Sequence, residues 1–180
     1  MIETIKRKIK EFYFLRIKKD TVAFARMLGV KMGENCEILG NPRSIFGSEP
    51  WLVKIGNHVR ITSGVSFITH EGALWCIRNK DSKYRNFDKF DPIIVGDNVF
   101  IGLNSIIMPG VHIGSDVIIG ANSVVTKDVK DGQIVAGAPA KQISTLERFM
   151  ERVVGQCVET NAMTKEEKRK YLENVFKDFE

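Results

Sequence analysis

The chain has 180 residues, 43% of them hydrophobic, and a formal net charge of +5. That length buries one core with appendages. The charge is too small and too scattered to argue for nucleic acid, though it suits a phosphorylated ligand or an acidic surface. Three cysteines, Cys36, Cys76 and Cys157, are far apart and odd in number. They argue against a disulfide framework and for a reducing compartment. No apolar run approaches the roughly 18 residues of a membrane span. Residues 1–19 lack the apolar centre of a signal peptide. A cytoplasmic location is therefore expected.

Residues 2–28 read as a basic amphipathic helix. Ile2, Ile5, Ile9 and Phe12 share a stripe, with Lys6, Arg7, Lys8, Lys10, Lys18 and Lys19 largely around it. Such a helix packs on its own protein or on a partner subunit, or associates weakly with the inner face of an anionic membrane. A six-residue beat begins faintly at Met32-Gly33-Glu34-Asn35-Cys36 and is interrupted over residues 40–50. It resumes at Ile55-Gly56-Asn57-His58-Val59, with Ile61 and Phe67 in phase. Residues 71–92 are polar, aromatic and aperiodic. Extruding them as a 22-residue loop restores the phase between Phe67 and Val95. A loop that long in a compact domain is functional or disordered.

From Val95 the beat is clearest. An aliphatic residue recurs at Val95, Ile101, Ile107, Ile113, Ile119 and Val125, with glycine following at Gly96, Gly102, Gly114 and Gly120. Four positions after each aliphatic stands a small or branched residue: Val99, Ser105, Val111, Val117, Ser123 and Val129. Neither a helix nor an ordinary strand has this period. The hexapeptide repeats of a parallel β-helix do. There the recurring aliphatic points inward and stacks on its copies. The glycines and asparagines of Gly96-Asp97-Asn98, Gly102-Leu103-Asn104 and Gly120-Ala121-Asn122 suit left-handed backbone at corners.

The beat decays after Lys130, and two helices follow. Ser144 with Glu147, and Thr164 with Glu167, read as capping boxes. Their stripes are Leu146, Phe149, Met150, Val153, Val154 and Cys157, then Tyr171, Leu172, Val175, Phe176 and Phe179. Both read as core or oligomer contacts, and terminal helices serve to cap exposed coil ends. The expected organisation is a helical segment over 1–29, a repeat domain over 30–143 and C-terminal helices over 144–180.

Of the three histidines, His58 sits in a repeat corner. His112 precedes the inward Ile113 and so points outward. His70 stands where coil gives way to loop. The runs Ile101-Gly102-Leu103-Asn104-Ser105-Ile106-Ile107-Met108-Pro109-Gly110-Val111, Ile119-Gly120-Ala121-Asn122-Ser123-Val124-Val125-Thr126-Lys127-Asp128 and Ala136-Gly137-Ala138-Pro139-Ala140-Lys141 resemble the hexapeptide-repeat acyltransferases. The similar branch holds the maltose, galactoside, Nod-factor and surface-polysaccharide O-acetyltransferases, and the likeness covers residues 30–145. It implies an all-β core folded as a left-handed parallel β-helix, carrying an N-terminal helix and C-terminal helices. Period alone does not give that hand, since crossovers are normally right-handed. It also implies a homotrimer with active sites between subunits, acetyl-CoA as co-substrate, and no metal. Phe67-Ile68-Thr69-His70-Glu71-Gly72-Ala73-Leu74-Trp75 is most similar to the polysaccharide and lipopolysaccharide branch. The acceptor-binding N-terminal domain of the maltose and galactoside enzymes has no counterpart here, so their acceptor is not implied.

The function so implied is direct acetyl transfer from acetyl-CoA to a sugar hydroxyl of a surface-polysaccharide or lipopolysaccharide precursor. An alcohol is a poor nucleophile while protonated, and His70 matches the family's catalytic base. Glu71 is the adjacent candidate to orient it, with Asp81, Asp88 and Asp91 as competitors. The resemblance places pantetheine along Leu103, Gly120 and Ala121, the nucleotide end near Thr126 and Lys127, and a phosphate near Lys141. The 71–92 loop is the acceptor side. Trp75 and Tyr84 stack on a sugar or pack the loop down. Arg78 and Arg85 bind an acceptor phosphate or form ion pairs, and Asn41 falls in the family's early acceptor region. Three rivals stand beside this reading. One is an N-acetyltransferase on an amino sugar or xenobiotic. Another is a zinc lyase, which the wide spacing of His58, His70 and His112 disfavours. The third is a non-catalytic binding solenoid, against which His70 and Lys141 argue.

Overall fold

The recurring aliphatic residues pair with one another across strands. In a computed structural model, which describes residues 2–177 and side chains from residue 5 onward, the chain divides into two units, one through Glu147 and one from Arg148. The first unit holds α1 (Ile2–Phe12), α2 (Thr21–Leu28), β1 (Lys31–Met32), β2 (Glu37–Ile38) and α3 (Pro42–Phe46). It continues through β3 (Val53–Ile55), β4 (Val59–Ile61) and β5 (Ser66–Phe67) to α4 (Leu74–Lys80). Then come β6 (Ile93–Val95), β7 (Val99–Ile101), β8 (Ile106–Ile107), β9 (His112–Ile113), β10 (Val117–Ile119), β11 (Val124–Val125), β12 (Gln133–Ala136) and β13 (Lys141–Thr145).

These strands form three sheets: β1-β3-β6-β9, then β2-β4-β7-β10-β12-β13, then β5-β8-β11. All pairings are parallel except β12 with β13. The chain visits the first, second and third sheets in rotation, and one circuit is a coil. Val99, Phe100 and Ile101 pair with Val117, Ile118 and Ile119, an offset of 18 residues or three hexads. Val59 pairs with Val99, an offset of 40 that contains the 22 extruded residues. Like therefore stacks on like: Ile61, Ile101 and Ile119 in the second sheet, Ile55, Val95 and Ile113 in the first, Phe67, Ile107 and Val125 in the third. All nine are buried. Each Å² of apolar surface so covered contributes roughly 25 cal/mol. The small fourth position is also buried. Ser105 and Ser123 both donate their hydroxyls to Gly120 O, at 2.9 and 2.6 Å, so neither is an unsatisfied polar group.

The corners correct one expectation. The non-glycine left-handed residues of the corners are Asn35, His58, Asn98, Asn104, Asp116 and Asn122, with φ between 54° and 58°, while Gly64, Gly110 and Gly132 take φ of 71° to 80° at other turns. The repeat glycines Gly56, Gly96, Gly102, Gly114 and Gly120 are not among the positive-φ residues. They are needed for close approach instead. A Cβ on Gly102 would lie 2.5 Å from Ala121 N and 2.8 Å from Ile119 O of the next coil.

Where hexads fail, helices appear. Expected as one helix, residues 2–28 are broken by a π-turn over Tyr13–Lys18 and by Lys19 at φ 52°. Asp20 then caps α2 by accepting from Ala23 N at 2.8 Å. Phe24 and Ala25 of α2 are fully buried, with Ala25 in the core beside Val30 and Ile38, so this helix closes the N-terminal end of the coils. The interrupted stretch contains α3, whose Phe46 stacks on Phe67 of β5 at 5.1 Å. It covers the third sheet where a first strand would lie. The 71–92 loop is not all irregular, since it includes α4. At the other end Ser144 does not cap a helix. It lies in β13 opposite Ile134, and α5 (Leu146–Val153) begins two residues later.

In the second unit, α6 (Lys165–Val175) has the expected box. Glu167 Oε2 accepts from Thr164 N at 2.8 Å, and Thr164 Oγ1 accepts from Glu167 N at 3.3 Å. The Thr164 hydroxyl and backbone hydrogen bonds hold the Glu167 carboxyl below its ordinary value. Phe179 of the expected stripe lies outside the described residues.

Close coil contact sets a measurable cost. Gly102→Ala should destabilise the protein by about 1–3 kcal/mol, the range for overpacking a filled site. Urea unfolding monitored by circular dichroism checks this, and an unchanged midpoint would contradict the contact.

Candidate active site

From β5 the chain runs through Ile68 and Thr69 to His70, where loop 71–92 departs. The loop's two ends are fastened there. His70 bridges Phe90 in antiparallel fashion, Glu71 N donates to Lys89 O at 2.9 Å, and Asp91 N donates to Thr69 O at 3.0 Å. Phe90 sets its ring edge-on to the imidazole, 6.2 Å away between centroids.

The carboxylate on His70 is Glu49. Its Oε2 lies 2.9 Å from His70 Nδ1 and accepts from Thr69 Oγ1 at 2.8 Å. Burial pushes the Glu49 carboxyl up. The hydrogen bonds from His70 and Thr69, with the His70 charge, outweigh that and hold it below its ordinary 4.5. An ionised carboxylate only accepts, so Nδ1 carries the hydrogen and Nε2 is left as an acceptor in the neutral ring. The His70 side chain is 46% exposed and that of Glu49 17%, so a partly sheltered acid holds an open imidazole. Glu71 makes no such contact. Its Oε1 accepts from Ala73 N at 2.9 Å, capping the turn into α4. Asp81, Asp88 and Asp91 pair with Lys83, Arg78 and Lys89.

Sequence reading missed Glu49 because it lies in the stretch where hexads fail. The available signal was coil counting. Residues 47–52 turn from the third face to the first one coil before His70, so they pass the same edge.

The expected coenzyme residues divide between two edges. Leu103, Gly120 and Ala121 lie where the second sheet turns to the third. Asn122 N donates to Leu103 O at 2.7 Å, linking two coils at that edge. Lys141 pairs with Ala136, the residue after Val135, which pairs with Ile119, so it stands one coil further along the same edge. Leu103, Ala121 and Lys141 are exposed, and the amides of Leu103 and Ala121 donate no hydrogen bond among the described residues. Thr126 and Lys127 are also exposed, but they follow β11 at the turn from the third sheet to the first. That is the edge of His70.

Loop 71–92 supplies an opening of about 820 Å³, lined by Trp75, Cys76, Arg78, Asn79, Lys80 and Arg85. Trp75 is 77% exposed. Arg78 holds the loop together, donating to Phe87 O at 2.8 and 3.0 Å and pairing with Asp88. Tyr84 packs edge-on against Phe87 at 5.4 Å, with Lys83 4.6 Å over its ring. Asn41 caps α3, accepting from Arg43 N at 3.0 Å and donating to Glu11 at 3.2 Å. Sequence reading left out Lys80, which shares the wall with Arg85. A second cleft of about 420 Å³ lies over Arg60, Phe100 and Ile118 of the second sheet and includes none of the expected site residues.

The other histidines are engaged elsewhere. His58 Nδ1 meets Asn98 Oδ1 at 2.8 Å, and His112 Nδ1 meets Gly110 O at 3.2 Å. Among the described residues no group of three or more His, Cys, Asp or Glu is arranged to hold a metal ion. All three cysteines are free thiols.

Comparison with known proteins gives consistent relatives. A family model described as "Hexapeptide repeat of succinyl-transferase" matches residues 92–127. Protein CapG of Staphylococcus aureus is 50% identical over 167 residues, covering 92% of this chain and 95% of that protein. A hexapeptide-repeat acetyltransferase of Vibrio cholerae, solved with acetyl-CoA, superposes with a TM-score of 0.55 at 25% identity, covering 76% of this chain and 82% of that one. A maltose O-acetyltransferase of Clostridium difficile superposes at 0.53 with 25% identity, covering 77% and 83%.

The Glu49 pair makes acid stability a direct readout. Its carboxyl is lowered on folding, so its contribution is full above the ordinary 4.5 and is lost as pH falls through the folded value. Glu49→Gln should therefore melt below the parent near neutral pH, with the gap closing in acid. Thermal melts from about pH 3 to 7 check this. A gap undiminished at the acid end would remove the pairing.

Proposed function

Because this chain belongs to the hexapeptide-repeat acetyltransferase family and is an acyltransferase, we propose that it transfers acetyl from acetyl-CoA to a sugar hydroxyl, with His70 as general base. The observation that carries this reading is the Glu49–His70 pair at the residue from which loop 71–92 departs. In this mechanism His70 Nε2 takes the hydroxyl proton as the sugar oxygen attacks the thioester carbonyl. The imidazolium is held by Glu49 and returns the proton to the departing thiolate. An acetyl ester and a free thiol result, with no covalent enzyme intermediate. A positioned base of this kind is worth about 10²–10⁴-fold. Glu49 acts as a positioning residue, fixing the tautomer that leaves Nε2 able to accept.

The amides of Leu103 and Ala121, which donate no hydrogen bond among the described residues, suit the amide carbonyls of a pantetheine arm, and Lys141 further along that edge suits a phosphate. Thr126 and Lys127 would meet the nucleotide end. In this reading the thioester must reach one edge for the amides and another for His70. The edges belong to different copies, and the site is built between subunits of a homotrimer of left-handed parallel β-helices, as family membership implies. Trp75, with Lys80, Arg78 and Arg85 around it, is the proposed acceptor wall. Likeness to a maltose O-acetyltransferase supports a sugar acceptor, and the His70 segment favours a surface-polysaccharide or lipopolysaccharide precursor. Tyr84 and Asn41 are assigned to folding the loop and α3 rather than to the acceptor.

A screen of sugars, amino sugars and glycan precursors, followed by thiol release, identifies the acceptor, and transfer to amines alone would overturn O-acetylation. With the acceptor found, His70→Ala should lower kcat at least about a hundredfold and leave the acetyl-CoA Kd within a fewfold. Retained turnover would remove the base assignment. Mixing His70→Ala subunits with Ala121→Trp subunits should restore part of the activity that each lacks alone. No recovery in confirmed mixed oligomers would place both edges' roles within one chain.

A further inference from the structure

The net positive charge of this protein is not scattered, as its composition first suggested. Residues 5–19 hold seven of the 27 cations and one of the 22 carboxylates, so this segment carries +6 and the rest of the chain −1 once all residues are counted. The same segment carries an uncovered apolar stripe. Ile5, Ile9 and Phe12, at helical spacing along α1, are 52%, 62% and 60% exposed, and Tyr13 and Ile17 of the following π-turn are 42% and 63% exposed. Phe14 stacks on the buried Phe24 of α2 at 6.1 Å, and the single carboxylate is a second fastening. Glu11 pairs with Arg43 at 3.1 Å and accepts from Asn41 at 3.2 Å, tying the segment to α3 through its polar side. Its position is about a third of a helical turn from the Ile5–Ile9–Phe12 stripe, so the attachment leaves that stripe outward.

We infer that this N-terminal segment is a docking surface for an anionic phospholipid bilayer. Uncovered isoleucines and a phenylalanine beside lysines and arginines fit the boundary between acyl chains and negative headgroups. A second copy is disfavoured as the occupant, because it would bring +6 against +6. Nucleic acid would use the cations and leave the apolar stripe in water. Among the described residues no helix is long and apolar enough to cross a membrane, so the segment lies on the surface and does not span it. Docking would hold α3, and through it the coil next to His70, close to the bilayer.

The test is co-sedimentation of the full chain with phosphatidylcholine vesicles, with and without about 30% phosphatidylglycerol. Anionic vesicles should bind at least about tenfold more tightly, and high salt should weaken that preference. Ile9→Glu with Phe12→Glu should abolish binding to both vesicle types. Lys8→Gln with Lys10→Gln should reduce the anionic preference severalfold. Circular dichroism and sedimentation velocity confirm that each variant remains folded and assembled. Equal affinity for both vesicles, or no binding, overturns the inference. So does an Ile9→Glu/Phe12→Glu variant that loses its oligomeric state while binding vesicles unchanged, since the stripe would then be a subunit contact.

Discussion

Parallel backbone pairing, at an offset of 18 residues through the uninterrupted repeats, brings each aliphatic side chain onto its own counterpart in the next coil. Val95 lies over Ile113, Ile101 over Ile119, and Ile107 over Val125. A slip of one residue would turn every inward side chain to solvent, so the buried ladder enforces the register. The same register dictates what the corners tolerate. With coils this close, Gly102 has no room for a Cβ, and the left-handed bend is taken two residues later by Asn104. Two residue types that look interchangeable in a turn thus answer to two separate demands, one of space and one of backbone torsion.

Insertions survive if they return the chain to phase. Loop 71–92 leaves after His70 and rejoins before Ile93, and Val53 still pairs with Ile93 and Ser66 with Ile106. The stack thereby acts as a rigid base from which an irregular segment projects. His70 stands at that exit. Its carboxylate comes from the previous coil, where α3 displaces a strand and the following turn brings Glu49 over the edge. The acid–base pair is therefore a product of coil stacking, joining residues 21 apart in sequence. The expected coenzyme residues are split between two edges of the same stack, so in the proposed site each copy would supply one edge.

Much of the fold is legible in the sequence because the hexad is a repeating local demand. Val95, Ile101, Ile107, Ile113, Ile119 and Val125 announce both their burial and their spacing, and the phase across the loop follows from counting. His112 and His58 are likewise readable as outward and corner residues from their place in the beat. The site is less legible. Glu71 stands beside His70 and attracts the role of partner, but adjacent side chains diverge and its carboxylate turns to Ala73 N. Asn41 looks like a ligand group and caps α3, and Arg78, which lines the opening of loop 71–92, also donates to Phe87 O.

By itself, the sequence determined the coil period, the inward ladder, the extent of the extruded loop and the place of His70 at that loop's exit. Each depends on spacing along the chain, which folding does not change. Tertiary structure alone decided that Glu49 holds the imidazole, that Ser144 joins a strand, and that Leu103 and Lys127 occupy different edges. It alone left the stripe of α1 uncovered within a segment of net charge +6. Those outcomes depend on which coil passes which edge, and counting coils along the chain hints at that while only stacking in space brings the side chains together.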